Sequence, residues 1–351
     1  APEVYARSAE NFQRLIADGV LCRDPRTCYY AYRLIMGEHV QTGLVATASV
    51  AAYDSHRIRR HEFTRPDKED DRVRQIEALN AQTGPVLLAH PDSVKAAQLL
   101  ALATDSPPIA DLTADDGIRH TLWAIDDLAS IARIGAVFGA MPNLYIADGH
   151  HRSAAAARVA AIRRHQNHAS DSAEFFLSVI FPASQMLIMD YNRVVRDLNG
   201  LTEEAFLVAV SKCYAVSASR TPVKPERRGV CGMYLGGRWY RLEIRSGLIP
   251  VSDPVRQLDV SVLAEQILDP LLGITDLRRD TRIDFVGGMR GLPELERRVN
   301  SGEMAVAFAM YPTQMADLIA VADAGQVMPP KSTWFEPKLA DGLVSYLLDP
   351  D

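Results

Sequence analysis

The segment Leu144-Tyr145-Ile146-Ala147-Asp148-Gly149-His150-His151-Arg152-Ser153-Ala154-Ala155-Ala156 sets a glycine, two histidines and an arginine between an apolar run and an alanine-rich one. If the first run is a strand and the second a helix, the amides that open the helix have no partners inside it and can bind an anion. Arg152 adds a planar donor fork suited to phosphate oxygens. Gly149 permits a backbone conformation closed to other residues and a close approach of a ligand to the main chain. His150 and His151 are titratable donors, and Asp148 is either a catalytic carboxylate or a plain helix cap. No GxxxxGK[ST] or GxGxxG loop occurs in the chain.

A second charged block runs from His61 to Arg72 and holds His61, Glu62, Arg65, Lys68, Glu69, Asp70, Asp71 and Arg72. On a helix from Asp67 to Leu79, Lys68, Asp71 and Arg72 share a face that can meet a phosphate or only make intrahelical ion pairs. Glu62 and Glu69 are candidate bases, and Glu69 and Asp71 candidate Mg2+ ligands, because carboxylates and phosphate oxygens suit that hard ion. A third block, Lys331-Ser332-Thr333, follows two prolines and offers a lysine and two hydroxyls to an anion; a turn that pins down a C-terminal tail has the same composition. Arg193, in Asp190-Tyr191-Asn192-Arg193, reads as structural.

The elements that must position these groups alternate. A helix is expected over Glu3 to Ala17, a hairpin over Tyr29 to Met36 and Thr42 to Tyr53, and a helix over Asp67 to Leu79 opened by Pro66. A strand Pro85 to Ala89, a helix from Ser93, a strand Ile118 to Ile125 and a helix Asp126 to Phe138 lead to a strand Asn143 to Ala147 and a helix from about His151 to Arg164. Phe175 to Phe181 and Met186 to Asp190 read as paired strands. Beyond Leu201 the texture changes: a helix Thr202 to Lys212 precedes a stretch rich in proline and arginine. Strands Gly232 to Leu235, Trp239 to Ile244, Arg282 to Val286 and Met304 to Met310 follow, with helices Val260 to Ile267 and Thr313 to Ala322. The expected fold is mixed α/β in two parts, residues 1–200 carrying the phosphate-binding turn and residues 201–351 forming a C-terminal α/β subdomain that contributes the Lys331 segment.

With 351 residues, 48% hydrophobic and 23% charged, the chain can bury two cores. A net charge of −6 argues against a nucleic-acid partner, and no apolar run approaches the ~20 residues of a spanning helix, so no membrane role is expected. Four scattered cysteines, without a CxxC pair, read as reduced thiols, which places the protein in the cytoplasm.

The ordered set Gln41-Thr42-Gly43-Leu44, His61-Glu62-Phe63-Thr64-Arg65, Lys68-Glu69-Asp70-Asp71-Arg72, Tyr145 to Arg152, Asp284-Phe285-Val286-Gly287-Gly288 and Met328-Pro329-Pro330-Lys331-Ser332-Thr333-Trp334-Phe335 resembles the signatures of the domain of unknown function 1015 family over almost the whole chain. Members usually begin with several dozen further residues, so the native start is expected to be missing. Asp148 to Arg152 also resembles the phosphate-binding box of the ParB/sulfiredoxin superfamily, which includes free serine kinases. That resemblance implies a ParB/sulfiredoxin-like core and phosphoryl transfer from ATP, ADP or pyrophosphate, with Mg2+, to a small hydroxyl-bearing metabolite such as L-serine. It implies Gly149, His150, His151 and Arg152 at a helix start beneath the donor phosphates, and the charged blocks themselves offer Arg65, Lys68, Arg72, Lys331, Ser332 and Thr333 as further phosphate contacts. The acid and base candidates are His61, Glu62, Glu69, Asp148 and His151. Sulfiredoxins carry a cysteine in their box, and this chain has none there. The rival expectations are a ParB-like nucleotide sensor that signals through a partner and a non-catalytic scaffold.

Overall fold

The computed structural model describes residues 2–166 and 170–349. They form a mixed α/β protein that divides into two compact units, one of residues 1–186 with 337–351 and one of residues 187–336. The division falls at Met186/Leu187, ahead of the change in sequence texture near Leu201, and residues 337–351 return to the first unit.

In the first unit the chain runs α1 (Pro2–Ala17), β1 (Tyr29–Met36), β2 (His39–Ser49), α2 (Val50–Asp54), β3 (Ile58–Arg59), α3 (Pro66–Leu79), β4 (Ala81–Gln82), β5 (Val86–His90), α4 (Val94–Ala103), β6 (Ala110–Thr113), β7 (Arg119–Ile125), α5 (Leu128–Gly139), β8 (Leu144–Asp148), α6 (His150–His165) and β9 (Phe175–Pro182). Eight strands form one sheet in the order β3-β8-β5-β9-β2-β1-β7-β6. β3 lies parallel to β8 and β5 parallel to β9, and the remaining pairs are antiparallel.

Local chemistry explains the helix starts. Ser93 and Asp127 accept hydrogen bonds from Ala96 and Ser130 and so cap α4 and α5. The expected strand Thr42 to Tyr53 is cut short in the same way: Ser49 accepts from the Ala52 amide and turns Val50–Asp54 into a helix. Alanines let α6 lie close to the sheet, where Ala154, Ala156 and Ala160 pack with Ile58, Val86, Leu88 and Ile146. On its other side, Ala155 and Val159 meet Val73 and Ile76 of α3. A separate cluster of Ala31, Leu44, Leu100, Trp123, Ile125 and Ile134 joins α4 and α5 to the sheet.

The second unit contains β10 (Leu187–Met189), β11 (Tyr191–Val195), α7 (Glu203–Val210), β12 (Tyr214–Ser219), β13 (Val230–Leu235), β14 (Arg238–Ile244), α8 (Asp259–Leu263), β15 (Ile283–Gly287), α9 (Gly291–Asn300), β16 (Val306–Ala309), α10 (Met315–Asp323) and β17 (Trp334–Glu336). An antiparallel sheet of order β12-β14-β13-β16-β11-β15 carries α9 on a core of Val194, Tyr234, Trp239, Val286, Leu295 and Ala307. The segment Met186 to Asp190 does not pair with β9 as expected. β9 sits between β2 and β5, whereas β10 pairs with β17. The last strand, β18 (Tyr346–Leu347), belongs to the first unit and pairs with β4. No helix among the described residues is long and apolar enough to cross a membrane.

Candidate functional site

The expected strand, turn and helix around residue 149 are present. Tyr145, Ile146 and Ala147 bury β8, and Gly149 then takes a φ of +101° at the cap of α6. No side chain caps this helix, so Asp148 is not serving as a cap. The first intrahelical bond runs from the Ser153 amide to the Gly149 carbonyl at 3.0 Å, and the amides of His150, His151 and Arg152 come before it. With no acidic residue in its first turn and Arg163, Arg164 and His165 in its last, the helix presents its positive end at Gly149 without an internal counter-charge.

Sheet topology brings the second block to this point. Because β3 runs parallel to β8, with Ile58 opposite Leu144 and Arg59 opposite Tyr145, their C-terminal ends emerge on one edge. His61 and His150 therefore meet, both buried, with ring centroids 4.5 Å apart and planes at 85°. Glu62 Oε2 lies 3.7 Å from His150 Nδ1, at the partly exposed rim. Neither ring nitrogen of His61, nor Nε2 of His150, has a partner within hydrogen-bond geometry. Burial pushes the His61 imidazole down to about 4, against smaller opposing effects of the Ile146 backbone and Asp148. Burial also holds His150 well below the usual histidine range, with His61, His151, Arg60 and Arg152 adding to it.

His151 has a defined tautomer. Its Nε2 accepts the Arg65 backbone amide at 3.0 Å, which leaves the proton on Nδ1. Burial lowers its pKa as well, and Glu69, Arg65, Asp67 and Arg72 act on it electrostatically. The side chain of Arg65 is forked onto Asp67 at 3.1 and 2.8 Å, and Arg72 donates to Gln75 at 2.6 Å. Lys68 is exposed on α3. Glu69 pairs with Arg158 at 3.2 Å beside Asp70, and Asp71 accepts the Tyr5 hydroxyl at 2.7 Å, so these two carboxylates already have partners and are not drawn together. Among the described residues the His, Cys, Asp and Glu side chains that cluster as a metal-ligand set are instead His61, Glu62 and His150.

Arg152 folds back over the turn. A Cβ on Gly149 would lie 3.0 Å from its Nε, and one on Gly84 would lie 3.6 Å from its Cδ. Its Nε is buried without a partner. Gly84 precedes β5, which runs antiparallel to β8 and so enters where β8 ends. The returning C-terminal segment adds Lys338, whose Nζ is 3.6 Å from Asp148 Oδ2. The sequence reading passed over Lys338: it closes the proline-rich block in which attention fell on Lys331.

Lys331, Ser332 and Thr333 lie in the second unit. Lys331 has a φ of +58° and its Nζ stands 5.6 Å from the Tyr191 ring centroid. Ser332 donates to the Pro329 carbonyl at 2.7 Å, and its own carbonyl accepts from Thr313. Arg193, fully buried and held by burial at about 10, donates to the carbonyls of Tyr191 and Lys331. Arg193 thus fixes the turn that presents Lys331, in keeping with its structural reading.

The family described as protein of unknown function (DUF1015) matches residues 1–261. The chain belongs to this family. No curated protein matches the sequence. Solved structures with similarity to this DUF1015 chain include a conserved hypothetical protein from Pyrococcus furiosus, at 14% identity, covering 85% of this chain and 93% of that one with a TM-score of 0.39. A free serine kinase in complex with ADP shows 14% identity, 85% and 91% coverage and a TM-score of 0.41. SbnI with a C-terminal truncation, from Staphylococcus aureus, shows 10% identity, 85% coverage of each chain and a TM-score of 0.43.

Proposed function

We propose that this DUF1015 protein is a small-molecule phosphotransferase that holds the phosphates of ATP, ADP or pyrophosphate at the head of α6. The single observation that carries this reading is the Arg152 side chain, whose buried Nε has no partner beside a glycine turn and the open amides of a helix start. An unmatched buried donor is costly, and a phosphate oxygen is the acceptor whose charge both Arg152 and the helix end favour. Phosphoryl transfer requires chiefly positioning and charge neutralisation. In this reading the amides of His150 to Arg152 and the Arg152 guanidinium hold the donor, while His151 Nδ1–H is a further donor to it. Arg65, Arg72 and Lys338 supply positive potential around the turn. Mg2+ carried on the phosphates of the donor completes the neutralisation when bound.

The acceptor is a small hydroxyl compound, with L-serine the leading candidate because the Asp148 to Arg152 box resembles that of free serine kinases. The test is incubation of the protein with each donor, Mg2+ and a panel of hydroxyl-bearing amino acids, followed by mass analysis. A phosphorylated amino acid is the expected product, and its yield falls to background in Arg152→Ala. Release of free phosphate without a phosphorylated acceptor would reassign the protein to nucleotide sensing.

A further inference from the structure

The His61 and His150 pair is not explained by phosphate binding. Two imidazoles meet at 4.5 Å in a buried place, and three of their four ring nitrogens have no partner within hydrogen-bond geometry. Leaving such atoms unmatched in the interior costs free energy at each one, and the two residues share that cost at one spot. Packing does not require it, since an apolar ring would fill the same volume. A neutral imidazole offers one ring nitrogen whose lone pair can bind a metal without loss of a proton. A phosphate already supplied with donors by the helix head gains nothing from such lone pairs. A Lewis acid does.

We propose that His61, Glu62 and His150 bind a first-row transition-metal dication such as Mn2+, Fe2+ or Zn2+. One ligand atom from each of the three side chains lies within 4.8 Å of the others, close enough for a common ion after small side-chain adjustments. The donor set is two nitrogens and one carboxylate. That set suits borderline metals, whereas Mg2+ prefers an all-oxygen shell with retained water. Three protein ligands leave coordination positions open, as in catalytic rather than structural sites. Glu62 is half-exposed at the rim and provides the entry route, while the histidines form the dry floor. The parallel pairing of β3 with β8 sets the geometry by delivering residues 61–62 beside residue 150 from a distant part of the chain. The site shares its pocket with the proposed phosphate cradle but needs no nucleotide, so each can fail without the other.

The test uses the whole protein, stripped with a chelator and titrated with Co2+ in the absence of nucleotide. Co2+ reports imidazole and carboxylate ligation through its visible ligand-field absorption. The expected result is binding of one equivalent with a visible spectrum, displaced by Zn2+ and not by Mg2+. Glu62→Ala, at a half-exposed position, is expected to fold and to weaken Co2+ binding by about tenfold or more with a changed spectrum. His61→Phe, where it folds, is expected to abolish the spectrum. Absence of one-equivalent binding in the unmodified protein would overturn the assignment, and so would Glu62→Ala binding Co2+ with unaltered affinity and spectrum.

Discussion

The Arg152 side chain lies across Gly149 so closely that a Cβ on the glycine would sit 3.0 Å from both Nε and Nη2 of the guanidinium. Gly149 also has a φ of +101°, a conformation that side-chain-bearing residues adopt at a cost of about 1–2 kcal/mol. Gly149→Ala therefore acts twice: it strains the turn, and it makes the Arg152 guanidinium shift by a few tenths of an ångström from its place over the helix head. The variant is expected to lose about 1–2 kcal/mol of stability, read as a lower urea midpoint at unchanged slope. It is also expected to bind pyrophosphate more weakly than the unmodified protein. Equal affinity would show that the placement of Arg152 over the turn is incidental.

The Arg65 amide donates to His151 Nε2 and so ties the loop ahead of α3 to the first turn of α6. His151→Ala removes the acceptor at a half-exposed position, so the expected stability loss is modest, about 1 kcal/mol or less. Hydrogen exchange gives the sharper readout. The Arg65 amide should exchange faster in the variant while amides in the middle of α6 keep their protection, whereas unchanged exchange at Arg65 would contradict the proposed clasp.

A pH-dependent stability is built into the second unit. Burial raises the carboxyl of Asp259 to about 6, opposed by the Gly229 amide at 2.6 Å and by Arg228, with Asp317 adding a like charge. A carboxyl whose folded pKa is raised binds its proton more tightly in the native state. Its contribution is present below the unfolded value near 4 and is lost as pH rises through about 6. Asp259→Asn retains an acceptor for Gly229 without the charge. It is expected to be more stable than the unmodified protein at pH 7 to 8, by at most about 3 kcal/mol, and to lose that advantage below about pH 4. Denaturant unfolding of both proteins across that range checks the sign.

The elements dictated by neighbouring residues were readable from the sequence. The β8, Gly149 and α6 unit announces itself by an apolar run, a glycine and a string of alanines, and Ser93 and Asp127 mark their helices by capping chemistry. What escaped depends on distant partners. β3 has only two residues, too few for periodicity, yet its pairing with β8 is what places His61 and Glu62 beside His150. Met186 to Asp190 has strand composition, but composition does not say that its partner is β17 near residue 335 rather than β9. In the site, the charge-rich α3 drew Glu69 and Asp71 forward as metal ligands, and only the fold reveals that Arg158 and Tyr5 occupy them. Lys338 was hidden for the same reason, since its approach to Asp148 depends on the chain returning to the first unit after the second is complete.

The proposed function requires the head of α6 to be a phosphate cradle. The most direct measurement starts from nucleotide-free protein and takes the melting temperature of the unmodified protein and of Arg152→Ala at fixed Mg2+, with and without added pyrophosphate or ADP. A ligand that binds only the native state stabilises it, by about 2.7 kcal/mol when present at a hundred times its dissociation constant. A clear rise in melting temperature is expected for the unmodified protein and little or none for Arg152→Ala, and without ligand Arg152→Ala is expected to melt no lower than the unmodified protein, because the unmatched buried donor is gone. An equal rise in both, or no rise in either, would contradict it.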